Sequence, residues 1–303
     1  MKFIKKWINQ FDELQPEPSG MEPVLNPVEG IRAVFFDIYG TLLVSASGDI
    51  DQATISTENL RTSLKESNYI LLKDGSEDSE AVLKYLLEHF VSIIRRQHHI
   101  HKNAGRQYPE VDIRQVWDEL ITFGEKKKII KKTDDCDPDR LTFIFELLSN
   151  RVNPMPGMKD IILYLHGKKY PLGIVSNAQY YTPVVMNYYL TGKEEEKENI
   201  EYFDPDLTVM SYTLLKSKPD LSLFRPVTES LMEKYGIRPQ EAVFVGNDMF
   251  KDLYPASQLG MKTILFAGDK RSLRLRHDKK EVNPLKPDAV ITALEQLKQI
   301  LGI

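Results

Sequence analysis

Cysteine is nearly absent from this chain: the 303 residues contain one, Cys136. A lone thiol closes no internal disulfide, so a packed core has to hold the fold, and a reducing cytosol is the natural setting. Charge of one sign is also missing. The formal net charge of -4 lacks the basic excess that general nucleic-acid binding requires. The opening segment, MKFIKKWINQFDEL, has lysines but no apolar run long enough for a secretory signal or a membrane span. These shortages lead us to expect a cytoplasmic protein that uses neither nucleic acid nor membrane. Nothing in them bears on oligomeric state.

What is present is the composition of a globular protein, with 42% hydrophobic and 28% charged residues. The length suffices for one large domain or two ordinary ones. Residues 1–29 read as an appended segment, because QPEPSGMEPVLNPVEG (15–30) is rich in Pro, Gly and Glu and lacks a steady period. A short β-forming run follows at 31–37, the kind that suits a strand buried on both faces. Further runs at 171–176, 207–211, 242–246 and 262–267, and a weaker one at 288–292, predict five more strands. Helical patterns at 158–167 and 221–235 lie among them, so the order is that of βαβ units with a parallel sheet. Between the first and second runs the character changes. Amphipathic stretches at 51–66, 78–98, 111–123 and 137–148 predict a helical block too long for a loop.

In an open parallel sheet, reactive groups gather beyond the carboxyl ends of the strands. Four such places carry suitable residues: Asp37-Ile-Tyr39-Gly40-Thr41, Ser176-Asn177, Lys218-Pro219-Asp220, and Gly246-Asn247-Asp248 with Asp252. Each has an ordinary structural explanation when taken alone. Aspartate and Ser-Asn after strands are common turn and cap residues, and paired acids before a helix complement its dipole. Their joint order carries more information than any one of them.

Strand-DxxGT, strand-SN, KPD and GNDxxxD, in that order, resemble the haloacid dehalogenase superfamily over roughly residues 31–301. The resemblance implies a three-layer Rossmann-like α/β core with a parallel sheet. The core would comprise 30–44 and 150–303, with a helical cap at 45–149 and hinges near 44–48 and 149–156. It also implies that Asp37 is a nucleophile forming a covalent intermediate, in a Mg2+-dependent phosphohydrolase acting on a small phosphorylated substrate. Ser176 or Thr41 would donate a hydroxyl to a phosphoryl oxygen, Asn177 completes the second motif, and Lys218 would place a positive charge beside Asp37. Asp37, Asp248, Asp252 and the backbone carbonyl of Tyr39 would hold the metal, a hard ion that prefers oxygen ligands.

Two departures matter. Most phosphatases of the superfamily carry a general acid–base aspartate where this chain has Tyr39, and a phenol with pKa near 10 is a poor base at neutral pH. Asn247 stands where many members have an aspartate, so Asp248 is expected to take over. Tyr39 also resembles the L-2-haloacid dehalogenases, which need no metal. That reading calls for an early cap arginine, yet the first one after the nucleophile motif is Arg61. A third reading is a non-catalytic binding protein on the same fold.

Three histidines at 98, 99 and 101 and the lysine-rich run at 126–132 read as solvated helix ends. The basic stretch 270–277 reads as a mobile surface loop. Tyr85, Phe90, Tyr108 and Trp117 are expected in the core of the helical block.

Overall fold

The computed structural model describes residues 4–46, 55–72, 78–194 and 199–303. The beginning of the first predicted helix of the insert (51–54) and part of the first hinge segment lie outside the described residues.

The chain starts with a short helix, α1 (Ile4–Ile8), and an extended arm. It then enters strand β1 (Ala33–Phe36), where all four residues are buried. After the nucleophile turn come β2 (Leu43–Ser45), helix α2 (Thr57–Glu66), strand β3 (Tyr69–Leu71), and helices α3 (Ser79–Asn103) and α4 (Ile113–Lys126). Strand β4 (Ile130–Lys132), helix α5 (Pro138–Ser149) and strand β5 (Val152–Pro154) complete this portion. The remainder alternates: α6 (Met158–Gly167), β6 (Leu172–Ser176), α7 (Thr182–Thr191), β7 (Thr208–Met210), α8 (Ser211–Leu214), α9 (Arg225–Tyr235) and β8 (Ala242–Gly246). It closes with α10 (Tyr254–Gln258), β9 (Lys262–Phe266), β10 (Ala289–Ile291) and α11 (Leu297–Leu301).

Six strands form one sheet in the order β10-β9-β8-β1-β6-β7, and every neighbouring pair is parallel. β1 lies in the middle, with Val34 opposite Leu172 on one side and Val243 on the other. Alternation along the strands splits the core into two layers. Val34, Phe36, Val243 and Val245 point to the face covered by α6 and α7. Ala33, Phe35, Ala242 and Phe244 point to the face covered by α9. The sheet with helices on both faces is the three-layer α/β architecture expected, and all six strand runs predicted from sequence are present.

The helices stop and start where their ends find hydrogen-bond partners. The side chain of Asp137 accepts from Arg140 N at the start of α5, with Pro138 in the first turn. Asp112 caps α4 similarly, and Gly192 and Gly236 end α7 and α9 in the left-handed conformation.

The helical insert leaves and rejoins the sheet through an antiparallel ribbon, β2 with β5, pairing Val44 with Asn153. Inside it, Phe90, Trp117 and Phe145 form an aromatic cluster with ring centroids 4.9 to 5.6 Å apart. Three expectations need correction. Tyr108 is half-buried and lies outside the insert's core, its ring centroid 6.5 Å from that of Phe250. The insert is not wholly helical, because β3 pairs with β4 in a ribbon of three residues per strand, too short to leave a periodic signal. Tyr85 is not core but 46% exposed, its ring lying beside Phe123 near the surface.

The N-terminal arm packs along the body. Val24 exchanges two backbone hydrogen bonds with Val290, at 2.8 and 3.0 Å, which covers the exposed edge of β10. Leu14 N donates to the Asn153 side chain in the connecting ribbon, and Glu17 N donates to Asp269. At its tip, Ile4 and Trp7 of α1 are buried in the core cluster that also contains residues of α5 and α7.

Candidate active site

The three central strands β1, β6 and β8 run parallel, so their carboxyl ends lie side by side. Asp37 follows β1, Ser176 ends β6, and Asn247 and Asp248 follow β8. Lys218 arrives on the loop after α8. They meet in a pocket of about 50 Å3 lined by Asp37, Tyr39, Asn177, Lys218, Asn247, Asp248 and Asp252, with Lys251, Ser272 and Arg274.

Two glycines shape the site, one in the turn that presents Asp37 and one at the end of β8. Gly40 has φ of +84°, and a Cβ there would come within 2.5 Å of Ser272 Cβ. Only glycine tolerates both the conformation and the contact. At the end of β8, a Cβ on Gly246 would lie 2.6 Å from the Asp252 side chain, so the bare backbone is what lets Asp252 reach inward.

Lys218 sits at the centre of the site, and both it and Asp252 are almost completely buried. Its Nζ lies 2.6 Å from Asp37 Oδ1 and 2.5 Å from Asp252 Oδ1. Burial would push its ammonium down, but the carboxylates of Asp252 and Asp37 more than offset this and hold its pKa well above the ordinary value. Burial pushes Asp252 upward against the pull of Lys218, with the charges of Asp37 and Asp248 acting in the same upward sense. The Ser176 hydroxyl donates to Asp37 Oδ1 at 2.8 Å. Two donors thus grip one oxygen of Asp37 and fix the carboxylate's orientation. Asn177 Oδ1 accepts from Lys218 N at 2.7 Å, which holds the lysine loop against β6.

The other expected site residues are placed as follows. Thr41 Oγ1 donates to Asn247 Oδ1 at 3.1 Å, joining the nucleophile turn to the β8 loop. Tyr39 turns its hydroxyl to Thr182 Oγ1, 2.9 Å away. Burial pushes this phenol well above its ordinary pKa, the bond to Thr182 offsetting only part, and the nearby charges of Glu146 and Asp37 push it the same way. Tyr39 is therefore even less ionised at neutral pH than its residue type suggests, and a weaker acid.

Asp248 has a different environment from the one expected. Its Oδ1 accepts from Phe250 N and Lys251 N, capping the following turn at 2.9 Å each. Arg276 holds the same carboxylate through Nη2 at 2.6 Å and Nε at 3.0 Å from Oδ2. Among the described residues no group of three or more His, Cys, Asp or Glu side chains is placed to hold a metal ion; Asp37, Asp248 and Asp252 line one pocket, with Asp248 turned to Arg276. A smaller set does fit Mg2+, which keeps several waters and needs only one or two carboxylates. Asp37 and Asp252 both line the pocket, but the point on which their Oδ1 atoms converge is taken by the Lys218 ammonium, so Mg2+ would have to bind beside it through their other oxygens.

Residues 270–277, read from sequence as a mobile surface loop, instead fold over the site. Arg274 N donates to Asn247 O and Arg274 O accepts from Met249 N, both at 2.9 Å. Ser272 and Arg274 line the pocket, and Ser272 O accepts from the Asn247 amide at 2.6 Å. The run RSLRLRH offered only its basic charge as a signal, because the left-handed φ of +53° at Arg276 breaks any extended alternation. Glu146, Tyr181 and Thr182 were also missed, and no local pattern marks them.

With this geometry in place the comparisons are informative. The family model for haloacid dehalogenase-like hydrolases matches residues 31–260. The chain belongs to that family and is a hydrolase. Over 182 residues it is 29% identical to a glyceraldehyde 3-phosphate phosphatase of Methanothermobacter thermautotrophicus, covering 59% of this chain and 70% of the relative. It is 25% identical to a phosphoglycolate phosphatase of Shigella boydii, covering 92% and 96% of the two chains. A 2-haloacid dehalogenase structure from Pseudomonas syringae pv. Tomato superposes with a TM-score of 0.52 at 19% identity, covering 90% of this chain and 98% of that one. That likeness shows the fold alone. Among the described residues no helix is long and apolar enough to cross a membrane.

Proposed function

We propose that this hydrolase cleaves a small organic phosphate ester through an aspartyl-phosphate intermediate at Asp37. The observation that carries the reading is the grip on Asp37 Oδ1 by Ser176 Oγ and Lys218 Nζ, in a pocket that Lys251 and Arg274 also line. Such a site is arranged for a dianionic tetrahedral group, since catalysis of phosphoryl transfer rests on positioning and charge neutralisation. The phosphatase names of the two curated relatives support the same chemistry.

In the first step an Asp37 oxygen attacks phosphorus and the P–O bond to the alcohol breaks. In the second, water attacks the acyl phosphate and releases phosphate, regenerating the carboxylate. Lys218 pairs with Asp37 and faces the incoming negative charge. Asp252 holds Lys218 in place, and Asn177 fixes its backbone. Mg2+, when bound, would add positive charge against the phosphoryl oxygens, held by Asp37, Asp252 and the Tyr39 carbonyl with water completing its shell. Asp248 stands at the edge of that set, its carboxylate paired with Arg276, while Asp252 pairs with Lys218 and accepts from Asp248 N. The insert (45–149) acts as a cap over the core (30–44 and 150–303), excluding water from the reacting group. A reducing, cytoplasmic setting agrees with the single thiol.

The test is phosphate release from acetyl phosphate and a panel of metabolite esters, with Mg2+ and with EDTA, alongside chloride release from L-2-chloropropionate. Phosphate release that needs Mg2+ and is lost in Asp37→Asn is expected. Chloride release in EDTA would replace this reading with carbon–halogen hydrolysis, and silence in both assays would favour a binding role.

A further inference from the structure

A second cavity, of about 320 Å3, lies between the insert and the core and shares Asn177 with the pocket of Asp37. The two spaces differ in size and in chemistry. At about 50 Å3, the pocket at Asp37 has a third of the volume of a cavity that takes up benzene, roughly 150 Å3. It has room for a tetrahedral anion and no room for a ring. The larger cavity is about twice the benzene-binding size and falls in the range of small-molecule sites.

Its wall is dominated by apolar side chains of three insert helices and the loop before α4, among them Phe90, Val91, Ile94, Val111 and Phe145. Two carboxylates lie on that wall, and both have hydrogen-bond partners within the protein. Glu110 accepts from Val111 N and from the Ser211 hydroxyl, so both of its oxygens are engaged. Glu146 accepts from the Tyr181 hydroxyl at 3.1 Å, and burial pushes its pKa up to about 7, so a large share is uncharged at neutral pH. Among the described residues, the exposed Arg95 is the wall's one lysine or arginine.

We propose that this cavity receives the alcohol portion of the substrate, and that this portion is a largely apolar body the size of one or two six-membered rings rather than a two- or three-carbon acid or aldehyde. The inference rests on the phosphohydrolase reading for the word substrate, while the cavity's preference for an apolar ring can be tested without it. Asn177 marks where the two parts join: the phosphoryl group would sit on the Asp37 side and the ring on the side of Phe90 and Phe145.

The experiment compares esters of matched leaving-group basicity: 2-phenylethyl phosphate against ethyl phosphate, with 2-phosphoglycolate and acetyl phosphate alongside. The free alcohol 2-phenylethanol serves as a binding probe by saturation-transfer NMR. Burying a phenyl group predicts kcat/KM roughly 10- to 100-fold higher for the phenylethyl than for the ethyl ester. In Val91→Phe or Ile94→Phe, which fill the cavity, that ratio should drop by about 5-fold or more and the 2-phenylethanol signal should weaken. A ratio near one in the unmodified protein, or a ratio unmoved by both variants, overturns the proposal. Turnover of acetyl phosphate with no 2-phenylethanol binding also overturns it and leaves the Asp37 chemistry standing. Binding of 2-phenylethanol that both variants abolish, without phosphate release from any ester, upholds the ring preference and removes the phosphohydrolase reading.

Discussion

Arg276 grips Asp248 at two points, Nη2 at 2.6 Å from Oδ2 and Nε at 3.0 Å. The same carboxylate caps the turn that begins at Met249. The pair ties the 270–277 loop to the end of β8 and makes Asp248 a structural acid at the edge of the site. Replacing Asp248 by Ala removes a cap and leaves Arg276 without its carboxylate. We expect a loss of about 1–3 kcal/mol, read as a lower midpoint in urea. The Mg2+ concentration giving half-maximal phosphate release should move less in this variant than in Asp252→Ala. A larger shift for Asp248→Ala would return it to the metal site.

Tyr39 offers a direct test of the missing acid–base group. Its hydroxyl is bonded to Thr182, and its pKa is held well above that of a free phenol. Tyr39→Phe should therefore lower kcat by less than about 5-fold, far from the roughly 10²–10⁴ that general acid–base catalysis is worth. Tyr39→Asp should speed esters with poor leaving groups relative to acetyl phosphate. Rates on an alkyl phosphate and on acetyl phosphate, compared across the three proteins, decide the matter.

Glu146 should leave a signature in the pH dependence of stability. Burial raises its pKa from 4.5 to about 7, so the folded state holds this proton more tightly than the unfolded state does. Stability is then undiminished below about pH 4.5 and is lost as pH rises towards 7. Glu146→Gln removes that dependence while keeping an acceptor for Tyr181. The fall in unfolding free energy between pH 5 and pH 8 should be smaller in the variant by about 1–3 kcal/mol. Equal falls in both proteins would mean that the carboxyl is better solvated than its position implies.

The arm at the N-terminus contributes to the body rather than trailing from it. Trp7 is 4% exposed, and the stretch that follows it touches both the connecting ribbon and the loop at Asp269. Trp7→Ala should cost roughly 3–5 kcal/mol in urea unfolding. A change under about 1 kcal/mol would show that the arm packs without stabilising the body.

Much of the fold was legible from local pattern. The run AVFF of β1 is apolar at every position because both faces of a parallel strand are covered. The same holds for AVFVG of β8, predicted with the bounds observed. Helix α6 was likewise read with its observed limits, 158–167. The ribbon of β3 and β4 was not legible, because three residues cannot establish a period of two against a helical background. Tyr85 was misjudged because an aromatic on a helix has no local marker for which face meets the core.

At the site, sequence alone determined the order of the motifs and the chemistry available: Asp37 and Ser176 stand at the ends of predicted strands, Lys218 before a predicted helix, and Asp252 shortly after the predicted strand 242–246. It also indicated that Tyr39 is a poor base at neutral pH, since that follows from the phenol itself. Only the tertiary structure decided which groups pair. Asp248 and Asp252 are equivalent in sequence as acids near the start of a turn, yet one faces Lys218 and the other Arg276. The deciding partner, Arg276, is 28 residues away from Asp248, beyond the reach of any local pattern. Glu146 and Asn177 likewise come to one cavity from a helix of the insert and a strand end of the sheet. Hydrogen bonds and charge pairing act over a few ångströms in space, and sequence separation carries no record of that distance until the chain has folded.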